Sequence, residues 1–187
     1  MDRRHLDAIV VGSGPGGATV ARDLARAGKQ VLILERGIDY RPKADFGTYL
    51  GALRYADQAS LLFTKEGLNI IRPLMVGGAT SMYAGCAAPP PDWFKRNYGI
   101  DISSEVDETI EELEIAPLPA ELRGQASTRI AQAGRALGYP FEPQIKFMRP
   151  QNAGDFDRCG ARCMLGCRCG AKWSAAEWVD EAVRHGA

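Results

Sequence analysis

The chain has 187 residues, 45% hydrophobic and 25% charged, values of a folded chain that exclude wholesale disorder. Lys+Arg and Asp+Glu are equal at 23 each, so the basic excess of a broad nucleic-acid-binding surface is absent. No stretch approaches the ~18 consecutive apolar residues of a membrane span.

At the N-terminus, Met1 to Asp7 is charged and the apolar run behind it, Ala8 to Val11, is short, with no small-residue cleavage site. The segment does not read as a signal peptide, and a cytoplasmic location is the expectation. Asp7-Ala8-Ile9-Val10-Val11 is β-branched and apolar, the pattern of a buried parallel strand. Gly12-Ser13-Gly14-Pro15-Gly16-Gly17 follows, then an alanine-rich helical stretch, Ala18 to Ala27, closed by Gly28. Gln30 to Glu35 is a second buried strand, so the first thirty-five residues predict a βαβ unit.

Beyond Arg36 the pattern loosens. A helix is expected within Tyr49 to Phe63, and Pro73 to Thr80 is an apolar segment containing the paired glycines Gly77-Gly78. Pro89-Pro90-Pro91 enforces an extended connection. Ser104-Glu105-Val106-Asp107 resembles a helix cap opening an acidic helix with Glu105, Asp107, Glu108, Glu111, Glu112 and Glu114 on a solvated face. Ile130, Ala133 and Leu137 have helical spacing, stopped by Gly138 and Pro140. Ser174-Ala175-Ala176-Glu177 is a capping box for a last helix reaching Arg184, with Trp178, Val179, Ala182 and Val183 as its apolar residues.

Gly12-x-Gly14-x-x-Gly17 lies between a strand and a helix, and an acidic residue, Glu35, ends the next strand eighteen positions later. These are the conditions of a dinucleotide fingerprint. Gly12 permits the tight turn, Gly14 the approach of a pyrophosphate, and Gly17 the packing of helix on strand. The helix N-terminus then meets negative charge, and Glu35 accepts hydrogen bonds from a ribose while disfavouring a 2′-phosphate, so NADP is not expected.

Gly12-Ser13-Gly14-Pro15-Gly16-Gly17 with Leu34-Glu35-Arg36-Gly37 resembles the opening of an FAD-binding flavoprotein. Met75-Val76-Gly77-Gly78-Ala79-Thr80-Ser81 resembles the second glycine motif of the glucose–methanol–choline (GMC) oxidoreductases. Cys163 to Trp173 is similar to the C-x-x-G-C-x-x-G-A-K stretch of their cysteine-containing bacterial branch. The resemblance covers essentially the whole chain, in family order. It implies FAD held by Gly12, Gly14, Pro15, Gly16, Gly17, Glu35, Arg36, Gly77, Gly78, Ala79 and Thr80. It also implies oxidation of alcohol CH–OH groups by hydride transfer to flavin, with a small-molecule alcohol as substrate. Tyr83 stands where many members carry Asn, and Lys172 within Gly-Ala-Lys reads as structural.

The family's catalytic His/Asn pair lies near the C-terminus of a much longer chain. Here the histidines are His5, before the first strand, and His185, in the last turn of the final helix, where it complements the helix dipole. Neither occupies the family's base position, so no catalytic residue is assigned. The expectation is an α/β fold: a Rossmann-like FAD-binding βαβ unit with additional helices and an incomplete parallel sheet. Residues 1–100 form the FAD-binding part, 101–150 a helical insertion, and 151–187 a cysteine-rich segment and helix leading onward. The chain reads as the N-terminal portion of an enzyme: a truncation, a gene fragment, or one half of a split protein with a complementary C-terminal chain. Alone, it is expected to lack alcohol oxidation and to bare an apolar strand edge.

Of five cysteines, Cys159, Cys163, Cys167 and Cys169 fall within eleven residues, so a local site is favoured over a spread disulfide scaffold. If helical through Cys167, the first three thiols share one face at i, i+4 and i+8. That grouping suits an iron–sulfur cluster, which some dehydrogenases of the family carry in the corresponding region. Zinc is less suited because two separated C-x2-C pairs are lacking. Small reduced thiols or one local disulfide is the alternative, and Cys86 reads as a packed thiol. Two other functions stay open: a non-catalytic flavin- or cluster-bearing subunit, and an NAD-dependent dehydrogenase.

Overall fold

A computed structural model describes residues 5–153 and 162–187. The described residues form two compact units, one running to Ala84 and including Arg162–Arg168 and Ser174–Ala187, the other beginning at Gly85 and including Cys169–Trp173.

The first unit contains the predicted βαβ motif. Strand β1 (Ala8–Val11) pairs in parallel with β2 (Val31–Leu34), in the register Ala8 to Val31 through Val11 to Leu34. Between them lies α1 (Pro15–Arg26), which starts inside the glycine motif, three residues before the alanine run. Its buried stripe is Ala18, Ala21, Arg22 and Ala25, a helical i, i+3, i+4, i+7 spacing. The small side chains let the final helix (Ala176–Arg184) come close, and Ala21, Ala25, Val31 and Ala182 form one core with Val10, Leu24 and Ile33 against it. Arg22 lies buried with its guanidinium 3.7 Å from the centroid of the Trp178 ring. Gly28, at φ +75°, ends α1 as expected.

Alternation along the strands sends Val10, Val31 and Ile33 into this core and leaves Ile9, Val11, Leu32 and Leu34 exposed on the other face. The strands are apolar on both faces, as the sequence predicts, and among the described residues helices cover only one of them.

The helix expected within Tyr49 to Phe63 occupies only Tyr49–Tyr55, capped by Thr48, whose Oγ1 accepts from the Gly51 N–H at 3.0 Å. It stops because the chain is drawn into pairing: Ala56 bridges Pro73, and the Asp57 N–H donates to the Arg72 carbonyl at 2.8 Å. Gln58, Ala59 and Ser60 then take positive φ, which no helix continues through. Phe46, Ala52, Tyr55 and Met75 make a second core in this unit, and the Tyr55 hydroxyl donates to the Leu165 carbonyl.

The second unit carries helices Trp93–Tyr98, Ser103–Glu112 and Gln125–Ala136. The acidic helix begins one residue before the expected cap. Asp101, not Ser104, supplies the local acceptor: its Oδ1 takes hydrogen bonds from the Ser103 N–H at 3.1 Å and the Ser103 hydroxyl at 2.6 Å. The helix buries no residue, in keeping with a solvated acidic face. Gly138, at φ +82°, follows the helix Gln125–Ala136 as predicted.

An antiparallel arrangement that no sequence pattern announced also runs through this unit. Ala116–Pro117 pairs with Ile145–Lys146, and single bridges join Cys86 to Lys146 and Met148 to Lys172. Pairs this short carry too few residues for a period-2 signal to emerge. Lys172 is buried where it joins this ladder, consistent with a structural role.

Candidate dinucleotide site

Gly12 turns the chain out of β1 at φ +92°, a left-handed conformation open mainly to glycine. Gly17 permits a close approach: a Cβ there would stand 2.0 Å from the Gly12 carbonyl oxygen and 3.2 Å from Val10 Cγ1. The first turn of α1 is thereby pressed onto the end of β1, as the fingerprint requires. Gly14 is different. It is the N-cap of α1, and a Cβ there would meet no protein atom within 4 Å. Its lack of a side chain serves the space outside the protein, which a pyrophosphate approaching the backbone would need.

The helix start is suited to an anion. No side chain caps α1, its first turn holds no acidic residue, and Pro15 and Gly16 are exposed beside Gly14. The first N–H groups of a helix have no intrahelical partner, and the macrodipole places partial positive charge there. Pro15 at the first helical position lacks an N–H, which leaves Gly16 and Gly17 as the donors facing outward.

Glu35 directly follows β2, beside this loop. Its Oε2 accepts from the Ser13 N–H at 2.9 Å and the Ser13 hydroxyl at 2.6 Å, and its Oε1 accepts from the Gly37 N–H at 2.7 Å. Burial pushes this carboxyl upward, but the hydrogen bonds from Ser13, Gly37 and the Arg36 backbone outweigh it, leaving the group below its ordinary value of 4.5. The Ser13 N–H, the Ser13 hydroxyl and the Gly37 and Arg36 backbone groups are four donors, as many as the about four lone-pair positions of a carboxylate, so a ribose hydroxyl would replace one of them rather than fill a vacancy.

A folded-state value below the unfolded one means that Glu35 stabilises the fold above about pH 4.5 and that this contribution is lost as pH falls through the folded value. Glu35→Gln is therefore expected to flatten the loss of stability on acidification. Urea midpoints of parent and variant at about pH 6 and about pH 3 check this: the gap between them should narrow at the lower pH.

Ser13 is the residue that sequence reasoning passed over. It is 1% exposed, and its hydroxyl donates to Glu35 while accepting from the Gly77 N–H at 3.1 Å. One side chain thus ties the first glycine motif to the acidic residue and to the second glycine motif. The variable position of G-x-G carries no pattern that would have revealed this. Gly78 closes the contact, since a Cβ on it would lie 2.9 Å from Gly14 Cα.

Gly77, at φ +90°, and Gly78, at φ +54°, lead into a short turn, Gly78–Ser81, in which Ala79 is exposed. Thr80 is buried and already engaged: its hydroxyl donates to the Gly77 carbonyl at 2.6 Å and accepts from the Ala175 N–H at 2.8 Å. Thr80 braces the turn against the start of the final helix. That helix begins at Ala176, and the Ser174 N–H donates to Glu177 Oε1 at 3.3 Å, one of the two bonds of the expected capping box. Arg36 points into solvent, 3.8 Å from the Asp57 carboxylate. The structure therefore brings together Gly12, Gly14, Gly17, Glu35, Gly77 and Gly78, and places Arg36 and Thr80 in contacts of their own.

The cysteine expectation needs correction. Cys159 lies outside the described residues. Cys163–Leu165 is a single tight turn, and Gly166 at φ +115° ends it, so no helix carries Cys163 and Cys167 on one face. Cys163, Cys167 and Cys169 are half-buried, and no three His, Cys, Asp or Glu side chains are grouped as a metal site among the described residues. Cys86 is exposed rather than packed. No described helix is long and apolar enough to cross a membrane.

Comparisons with known proteins agree with this geometry. Residues 10–55 match a family described as an NAD(P)-binding Rossmann-like domain. An uncharacterized GMC-type oxidoreductase of Mycobacterium tuberculosis is 31% identical over 184 residues, covering 90% of this chain and 28% of the relative. A long-chain-alcohol oxidase of Arabidopsis thaliana is 30% identical over 206 residues, covering 99% of this chain and 26% of the relative. The crystal structure of pyridoxine 4-oxidase from Mesorbium loti superposes with a TM-score of 0.61 over 96% of this chain and 40% of that one, at 17% identity, a likeness of fold. The chain spans a little over a quarter of the length of the curated relatives it matches.

Proposed function

We propose that this chain is part of a GMC-type oxidoreductase, like the relatives it resembles, and that it binds FAD through the glycine loop and Glu35, in an enzyme that oxidises alcohols. The observation that carries the reading is the open cradle at Gly14: a position where a Cβ would meet no protein atom, at an uncapped helix N-terminus, with a carboxylate on the neighbouring strand end. Bound there, the flavin supplies an acceptor for the hydride of a carbon bearing a hydroxyl group. The chain's own residues bind and orient. The Gly16 and Gly17 N–H groups face the phosphates. Glu35 receives a ribose hydroxyl, and Ser13 fixes the Glu35 rotamer. Gly77 and Gly78 keep the second loop against the first.

The alcohol substrate class follows from the relatives, one of which is a long-chain-alcohol oxidase. The family profile over residues 10–55 keeps NAD as a second ligand to be tested.

Glu35→Ala is the direct test. Loss of hydrogen bonds to a charged acceptor corresponds to about 1–3 kcal/mol, or roughly a five- to hundredfold weaker FAD affinity. Flavin retention measured by absorbance after gel filtration checks it. Retention equal to the parent's would remove Glu35 from the site.

A further inference from the structure

Outside the dinucleotide site, the second unit sets a nucleophile and a cation side by side. Cys86 and Lys146 are cross-strand partners in an antiparallel bridge. The flanking bonds, Ala87 N–H to the Ile145 carbonyl at 3.0 Å and Phe147 N–H to the Gly85 carbonyl at 2.8 Å, make them a non-hydrogen-bonded pair. In such pairs the Cα atoms are about 4.5 Å apart and the side chains lie on one face in mutual reach. Lys146 Nζ donates to Cys86 Sγ at 3.1 Å, and Cys86 is exposed. The ammonium therefore sits where negative charge gathers on sulfur, and its nitrogen stands where a bond to that sulfur would form. Gln144 is turned aside, its amide donating to the Ala87 carbonyl at 2.8 Å.

We propose that Cys86 and Lys146 form a peroxide-sensitive dyad that closes, on oxidation, into a sulfur–nitrogen cross-link between the two strands. In the first step the Cys86 thiolate, its proton given to solvent, attacks hydrogen peroxide. The S–O bond forms, the O–O bond breaks and hydroxide leaves; sulfur is oxidised by two electrons and the peroxide oxygens are reduced. In the second step the Lys146 amine, having released one proton, attacks the sulfenic sulfur. The S–N bond forms, the S–O bond breaks, and water leaves with the second proton of the nitrogen. Overall, thiol, ammonium and hydrogen peroxide give a sulfenamide, two waters and a proton. Sulfenic acids undergo the same condensation with backbone nitrogen, and thiols reverse it. The ladder supplies the proximity that makes the amine compete with solvent and with a second peroxide.

Treatment of the 187-residue chain with hydrogen peroxide, followed by digestion and mass spectrometry, tests this. The expected product is a linked peptide pair joining Cys86 to Lys146, two hydrogens lighter than the sum of its parts and separated by dithiothreitol. Lys146→Arg keeps the cation but removes the amine, so it should stop at a sulfenic acid trapped by dimedone. Lys146→Gln should slow that trapping about threefold or more. Both side chains are at the surface of the ladder, and circular dichroism verifies that the variants stay folded. The proposal is overturned if Cys86 remains a thiol or carries only sulfinic or sulfonic acid. It is equally overturned if Lys146→Arg yields the same two-hydrogen loss at Cys86.

Discussion

Replacing Gly17 with alanine is expected to abolish dinucleotide binding and to destabilise the fold by about 3 kcal/mol or more, the upper end for overpacking. The added Cβ would stand 2.0 Å from the Gly12 carbonyl oxygen, and that oxygen belongs to backbone held by β1. No rotamer change relieves the clash, so α1 must lift from the strand or Gly12 must leave its turn. Either movement displaces the Gly16 and Gly17 N–H groups from the anion position. Gly14→Ala provides the contrast. Its Cβ meets no protein atom within 4 Å, so the fold should keep its stability while the ligand loses its space. Urea unfolding and FAD titration of the two variants separate the effects: Gly17→Ala should fail in both, Gly14→Ala in the second alone.

Ser13→Ala is expected to cost about 3 kcal/mol, although it deletes a single oxygen. That oxygen is buried, donates to an ionised carboxylate and accepts from the Gly77 N–H. The variant loses a charge-assisted bond and leaves a buried backbone donor without its partner, and each of these carries about 1–3 kcal/mol. Gly77 itself is held on its other sides, by Thr80 and by close contact with Ala176, so its amide cannot turn easily to water. A shift of the urea midpoint at unchanged slope would report the loss. Combined with Glu35→Ala, the double variant should destabilise by less than the sum of the single ones, because both delete the same bond.

The sequence was legible where local rules and tertiary structure agree. The βαβ unit announced itself because β1 and β2 are continuous apolar runs, α1 repeats alanine at helical spacing, and Gly12, Gly17 and Gly28 each occupy a conformation or contact that suits glycine. Legibility failed where a distant partner decides. The helix from Tyr49 ends at Tyr55 because Pro73 and Arg72 capture Ala56 and Asp57, seventeen and fifteen residues away in sequence, and no propensity records that pairing. The cysteine spacing fits one face of a helix, yet Gly166 adopts a positive φ between Cys163 and Cys167 and the face never forms. In the site, the glycines and Glu35 were readable from spacing. Ser13 was not, because its role depends on meeting Gly77 sixty-four residues later.

One face of the β1–β2 pair exposes Ile9, Val11, Leu32 and Leu34, with Val11 82% exposed. Burying a side chain of that kind stabilises a fold by about 1.5–3 kcal/mol, so among the described residues this face leaves part of that stabilisation unrealised. A ligand that binds only the folded state offsets part of that deficit by mass action.

The central claim is that the loop at Gly12–Gly17, with Glu35, holds FAD. Equilibrium titration of the 187-residue chain with FAD, NAD and NADP, followed by flavin fluorescence anisotropy and by calorimetry, tests it most directly. The account predicts saturable binding of one FAD per chain, its loss in Gly17→Ala, and no binding of NADP, whose 2′-phosphate would face the Glu35 carboxylate. Tighter binding of NAD than of FAD, or FAD binding that Gly17→Ala leaves unchanged, would contradict it.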